Sequence, residues 1–481
     1  MEGSLRVENM VCTGNPYLRS NRISYVEPIK SNLLNYQLAS VYIMELTHLQ
    51  SSTQLIDLNN QKILTDPWLT DGEYFGSWYH YPPFPNEKIR ELQYDYIYVS
   101  HIHPDHLSEK TFLALPDKKP VLVRAFESKF VKRKIEMLGF DVIECEHGKP
   151  FQLGDGSSIT IYAADNCNPE LCGKLMGCAP LEKKFGSTSI DTLALFESEQ
   201  GKILNTNDCP YDLAKNTIQE NGLNKDIDLL LVGYAGAGPY PQCFKFSSEE
   251  EKYIAAKNKE HQFLEMTRKY VDCVKPKAYA PFAGTYILGS RLSVLNKARG
   301  VPSLEDAVSF LTQTTSDGPK CIHLEQLDSY KVSTGELEKK GKFQNIGYEE
   351  FVDQISAYHL DYDLDNWDED DLEDLFLQAH QRFSTKASTI GVHSETKIII
   401  QSDRIAYSMT INSAPKKVKL NCPMEYPSLR ITLNHNLLNR LLRGPRFAHW
   451  NNAEIGSHLQ YERLPNTFDR GLHHCLCFFH Q

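Results

Sequence analysis

Tyr94-Asp95-Tyr96-Ile97-Tyr98-Val99-Ser100-His101-Ile102-His103-Pro104-Asp105-His106 is the stretch on which the fold turns. Its first half is rich in aromatic and β-branched residues and reads as a strand. The second half sets three imidazoles and a carboxylate on the turn that the strand delivers. Successive side chains of an extended segment point to opposite sides, so His101 and His103 face one way and can share a cation. Asp105 and His106, beyond the turn, can face a second. Imidazole together with carboxylate suits Fe²⁺, Zn²⁺ or Mn²⁺.

Outward from this motif the chain alternates. Upstream, segments 40–46, 53–58 and 62–68 read as strands, with Asn59-Asn60-Gln61 as a turn. Downstream come a helix at 109–115, a strand at 120–124, a helix at 126–138, and strands at 141–145 and 158–164. A strand pair at 191–197 and 202–205 follows, then a strand at 226–233, a long helix at 247–274 and a strand at 278–283. This is an α/β (α+β) pattern. Past residue 291 the texture becomes polar, with an acidic run at 360–374. Strands at 397–401 and 404–410 and a helix at 435–442 then predict a smaller C-terminal α+β domain. The expected organisation is an N-terminal extension 1–38, a catalytic domain 39–300, a helical and linker region 301–380, and the small domain 381–481.

The 481 residues carry 51 Lys+Arg against 62 Asp+Glu, a net charge of −11. That balance argues against nucleic acid or an anionic membrane as partner. No window is apolar enough for a membrane span, and residues 1–17 lack a basic and then apolar leader, so a cytoplasmic location is expected. The 12 cysteines are dilute and are expected as reduced thiols, Cys167, Cys172 and Cys178 included. The glycine-rich 234–241 lacks the spacing of a nucleotide fingerprint. Asp361–Asp365 starts like a calcium loop, but Asn366 and Leu372 stand where that loop needs Gly and Glu, so a solvated acidic linker is expected.

The HxHxDH motif resembles the signature of the metallo-β-lactamase superfamily, over residues 39–283. The resemblance implies an αββα sandwich with a two-metal site. It implies metal ligation by His101, His103, Asp105 and His106, and a bridging role for Asp208 in Leu204-Asn205-Thr206-Asn207-Asp208. A carboxylate between two cations about 3.5 Å apart offsets their repulsion. Asp66, in Thr65-Asp66-Pro67-Trp68, corresponds to a residue that supports the site by orienting a ligand. Two further family histidines have no counterpart: the corresponding segments read Ala163-Ala164-Asp165-Asn166-Cys167 and Ala280-Pro281-Phe282-Ala283-Gly284. Either Asp165 substitutes as a ligand, completing two imidazoles and a carboxylate as in non-haem iron enzymes, or Asp165 and Asn166 cap a turn.

The order Asp66-Pro67-Trp68, the HIHPDH motif, ILNTNDC (203–209), DIDLLLVGYAGAGPYP (226–241) and KPKAYAPFAG (275–284) is similar to the catalytic region of the CMP-N-acetylneuraminate hydroxylase family. This implies a di-iron oxygenase or hydroxylase of a small polar metabolite, with O₂ as co-substrate. The Rieske cluster of that family needs Cys-x-His and Cys-x-x-His, and no such pair precedes Ala39, so an external electron donor is expected. The alternative is a dinuclear zinc hydrolase of a phosphodiester, lactone or amide, with Asp105 as proton acceptor. The aromatic insert 73–84 either roofs the pocket or packs on the domain edge. Trp78, Tyr79, Tyr234 and Asn166 are the candidate substrate contacts. The polar segment 449–458 either reaches the pocket or forms hydrogen bonds between domains.

Overall fold

The computed structural model describes residues 43–126, 129–154, 156–164, 191–314, 318–341, 346–367 and 370–481. The expected extension 1–38, Asp165, Asn166, Cys167, Cys172 and Cys178 lie outside them. Tyr42–Gln481 forms one compact unit.

Two sheets face each other. In spatial order the first runs Glu336–Glu338, Ser329–Lys331, Met44–Gln50, Thr53–Leu58, Gln61–Thr65, Tyr96–Tyr98, Val121–Arg124, Val142–Cys145. The second runs Lys320–Cys321, Ala278–Phe282, Leu229–Gly233, Gly201–Asn205, Thr192–Ser198, Ser157–Ala163, Pro150–Gly154. Strand alternation sorts the side chains into layers. Tyr98 and Leu122 of the first sheet share a buried core with Ile161, Phe196, Leu229 and Leu231 of the second. Their sequence neighbours point outward. Ile97, Val121 and Val123 pack with Phe112 and Ile135 of helices Glu109–Ala114 and Phe130–Met137. On the other side Leu204, Leu230 and Val232 pack with Leu213, Tyr270 and Leu311 of helices Tyr211–Glu220, Glu249–Val274 and Leu304–Thr314. The result is an αββα sandwich.

Within 301–380, helix Leu304–Thr314 thus covers the second sheet, and Lys320–Cys321, Ser329–Lys331 and Glu336–Glu338 extend both sheets at their edges. Beyond them a five-stranded sheet runs Ser413–Val418, Ala406–Thr410, Lys397–Gln401, Ser428–Thr432, Gln460–Leu464. Its core draws Phe376 and Phe383 from helix Leu372–Ile390, Leu438 and Leu441 from helix His435–Leu442, and Trp450 and Phe479. Cys243 and Phe244 join this core from the sandwich side. The Tyr461 N–H donates to the Cys243 carbonyl at 2.8 Å, and the Lys245 N–H to the Tyr461 carbonyl at 2.9 Å. No described helix is long and apolar enough to cross a membrane.

The topology gathers the motifs at one end of the sandwich. Gln61–Thr65 and Tyr96–Tyr98 run parallel and end together, releasing Asp66 and His101–His106. Gly201–Asn205 leads to Asp208, and the antiparallel Thr192–Ser198 begins beside its end, placing Asp191 there. The Tyr98 hydroxyl joins the two sheets across this end, 2.7 Å from Thr192 Oγ1.

Candidate metal centre

Asp66 closes its strand with φ 42°, in the left-handed region, and its carboxylate is fully buried. It accepts from the Ser100 N–H and hydroxyl, each at 2.7 Å. Ser52 Oγ donates to the Asp105 carbonyl at 2.6 Å, which fixes the turn carrying the motif.

His101 and His106 are built alike. Each sets Nδ1 against a buried carboxylate: Asp191 Oδ1 at 3.0 Å for His101, Asp66 Oδ2 at 2.9 Å for His106. Each turns Nε2 toward further donors. For His101 this is His103 Nδ1 at 2.8 Å. For His106 it is Asp208 Oδ2 at 3.2 Å and Asp105 Oδ2 at 3.7 Å. A carboxylate on one imidazole nitrogen orients the ring and leaves the other nitrogen for a cation. Donor atoms of His101, His103 and Asp191 lie within 4.8 Å of one another, as do those of His101, His106 and Asp208.

Charge and protonation at this end fit cations. Four carboxylates, Asp66, Asp105, Asp191 and Asp208, converge, and among the described residues their ion-pair partners are histidines alone. Burial, reinforced by His106, holds the His101 and His103 imidazoles below their ordinary range, so both are neutral with lone pairs available. Burial acts on His106 in the same direction, but the Asp208, Asp66 and Asp105 carboxylates override it and raise it well above that range. Burial, and then the charge of Asp208, pushes the Asp191 carboxyl well above the usual carboxylate range. Neutral nitrogen donors beside surplus carboxylate form a mixed donor set suited to Fe²⁺, Zn²⁺ or Mn²⁺.

The structure therefore brings His101, His103, Asp105, His106, Asp66 and Asp208 together. Asp191 is the residue that sequence reasoning missed. Its signal was a carboxylate heading the otherwise apolar run Thr192-Leu193-Ala194-Leu195-Phe196. Beside the donors lies a narrow cleft walled by Trp68, Trp78, Tyr286, Ala235 and Gly284. Trp78 stacks on Tyr286, with centroids 3.6 Å apart and planes 3° from parallel. Tyr79 turns away to pack with Ile287, Phe351 and Ile355. Tyr234 is buried against Leu264 and Ala307, while its neighbour Ala235 reaches the cleft. Gly284 stands at φ 89°, and a Cβ there would lie 2.6 Å from the Ala235 Cβ, so no side chain fits.

The polar segment near the C-terminus forms hydrogen bonds to the sandwich, and none of its residues lines the cleft. The Asn451 side chain hydrogen-bonds to His103. His458 Nε2 lies 2.7 Å from the Tyr74 carbonyl, and the Tyr74 hydroxyl donates to Asp105 Oδ1.

Fold and site together define a sandwich of the metallo-β-lactamase type with a histidine and carboxylate centre at one end. No family model matches the chain. Among curated proteins it is similar to the cytidine monophosphate-N-acetylneuraminic acid hydroxylase of Danio rerio, 27% identical over 252 residues. That match covers 50% of this chain and 38% of the relative, so this chain spans well under half of that protein's length. Among solved structures it is similar to CmlA, a diiron β-hydroxylase from Streptomyces venezuelae, at 13% identity and a TM-score of 0.38, covering 60% of this chain and 54% of that one. Similar too is Igni18, a metallo hydrolase from Ignicoccus hospitalis, at 13% identity and a TM-score of 0.38, covering 60% and 97%.

Proposed function

We propose that this chain is an O₂-dependent di-iron oxygenase or hydroxylase of a small polar metabolite. The observation that carries this reading is the convergence of two imidazoles on the Asp208 carboxylate, His101 and His106 offering donor atoms within 4.8 Å of it. Two imidazoles and one carboxylate are the donor set of non-haem iron sites that use O₂. His101 and His103 would hold one iron, Asp105 and His106 the other, with Asp208 shared between them and Asp191 orienting His101 from its Nδ1 side. When bound, such a pair supplies the O₂ chemistry. The chain's own residues do the rest: Asp66 orients His106, Tyr74 holds one oxygen of Asp105, and the Trp78–Tyr286 stack presents a flat apolar wall that keeps water from that side of the cleft. The similarity to a hydroxylase over half the chain supports the same reading. Electrons would come from an external donor, and the working location would be the cytoplasm.

A dinuclear zinc hydrolase is the second reading. It is favoured by Asp105 and Asp208 both lining the cleft, where a carboxylate can accept a proton from water. Metal analysis of protein made in medium supplemented with iron and zinc, and purified without oxygen, separates the two. The oxygenase reading expects about two irons per chain and an O₂-dependent change in the optical spectrum. Two zincs and no response to O₂ would overturn it.

A further inference from the structure

Behind the Tyr286 wall sits a second group of polar side chains that the metal centre does not use. The Arg299 guanidinium lies over the Tyr286 ring, 5.0 Å from its centroid, and Trp78 stacks on the same ring. Arg299 Nε and Nη1 are buried without a hydrogen-bond partner among the described residues, and so are the hydroxyls of Tyr286 and Tyr234. Burial raises both phenols, Glu305 adds to it at Tyr234, and the Arg299 charge pulls the other way at each. Lys259, 8% exposed on helix Glu249–Val274, donates from Nζ to the Arg299 carbonyl at 2.9 Å. Burial, then the charge of Arg299, holds its ammonium down to about 8.

Two cations are thus brought together, and among the described residues neither forms an ion pair. Glu305 acts on Tyr234 and Glu260 on Lys259, yet among the described residues the Glu260 ion pair goes to Lys257. A buried charge without a partner costs several kcal/mol, and four donors without acceptors compound the cost. Donors and positive charge in this density match an oxyanion. Lys259 also lines a surface groove with Tyr240, Glu251, Asn258 and Gln262, which gives solvent access to its side of the cluster.

We propose that Arg299, Lys259, Tyr234 and Tyr286 form an anion subsite that receives a carboxylate or phosphate of the substrate, whose reacting end lies at the metal centre across the Tyr286 wall. The substrate assignment rests on the function proposed above; the anion site itself does not. The first experiment measures binding of inorganic phosphate to the purified protein by calorimetry. We expect binding in the parent chain and at least tenfold weaker binding in Arg299→Gln and in Lys259→Met, with circular dichroism confirming that each variant folds. No binding, or equal binding in parent and variants, overturns the subsite.

The second experiment compares acetohydroxamate, a neutral metal chelator, with succinic and glutaric monohydroxamates, which add a carboxylate. The proposal expects the carboxylate to tighten binding at least tenfold, and Arg299→Gln to abolish that gain. Phosphate binding without any such gain would mean that a free anion is bound, and overturns the substrate assignment. Failure of every hydroxamate to bind would count against the metal centre alone, because the phosphate comparison still decides the subsite.

Discussion

Each of the two paired histidines depends on a carboxylate behind it. His101 relies on Asp191 and His106 on Asp66, and removing such a partner commonly costs 10–100-fold in metal affinity. Asp191→Asn is therefore expected to weaken one of two bound cations by about that factor while sparing the other, read by chelator competition. Asp66→Asn should do the same to the other cation. Equal affinity in parent and Asp191→Asn would remove Asp191 from the centre. His103→Ala, which deletes a donor outright, is expected to halve the metal content, measured by elemental analysis. The role of Asp191 was only half legible, because a carboxylate at a strand start is ordinary until the register with Gly201–Asn205 brings it beside His101.

The cleft wall is set by the packing of segments rather than by single contacts. Residues 234–241 run between the second sheet and helix Glu249–Val274, and Gly236 allows the close approach. A Cβ there would stand 1.9 Å from the Phe263 ring. Gly236→Ala must move the loop or the ring, and overpacking of this kind costs about 1–3 kcal/mol. Urea unfolding should show that loss, together with weaker binding in the cleft, since Ala235 and Ala237 line it. A loss of stability within error of zero would show the loop to be pliant. The helix itself starts at Ser248, whose side chain accepts from the Glu251 N–H, with three glutamates in its first turn. Ser248→Ala is expected to cost about 1 kcal/mol and leave metal content unchanged.

The C-terminal layer braces the metal end of the sandwich, and its grip depends on a neutral imidazole. His458 is buried, bonded to the Tyr74 carbonyl and 2.8 Å from the Tyr362 hydroxyl. Burial holds it down to about 4, against 6.5 for a free imidazole. Between these values the unfolded chain binds a proton that the folded chain does not. Stability therefore rises with pH across this window and is lost as pH falls, by up to about 3 kcal/mol from this group. His458→Gln should flatten that part of the acid unfolding profile. An unchanged slope would assign it to the other buried histidines held near 4, His48 and His449.

Local pattern was enough for most strands of the sandwich and for the four donors of the HIHPDH motif. Asp66 and Asp208 were legible only through the resemblance, and strand Pro150–Gly154 and helices Tyr211–Glu220 and Leu304–Thr314 were not read. Segment 53–58 is legible from the alternation of its apolar and polar residues, and 229–233 as a continuous apolar run buried on both faces of its strand. The HIHPDH motif is likewise local, since one strand and one turn deliver all its donors. What depended on the folded chain are contacts made across long separations. Asp191 meets His101 because two antiparallel strands align, and Trp78 meets Tyr286 because Trp78–Tyr79 pairs with Ile287–Leu288. Arg299 and Lys259 meet because a long helix lies against the segment after Ser290–Ala298. Nothing in the residues flanking these positions encodes the partner, because the register and packing that join them are set by the whole core.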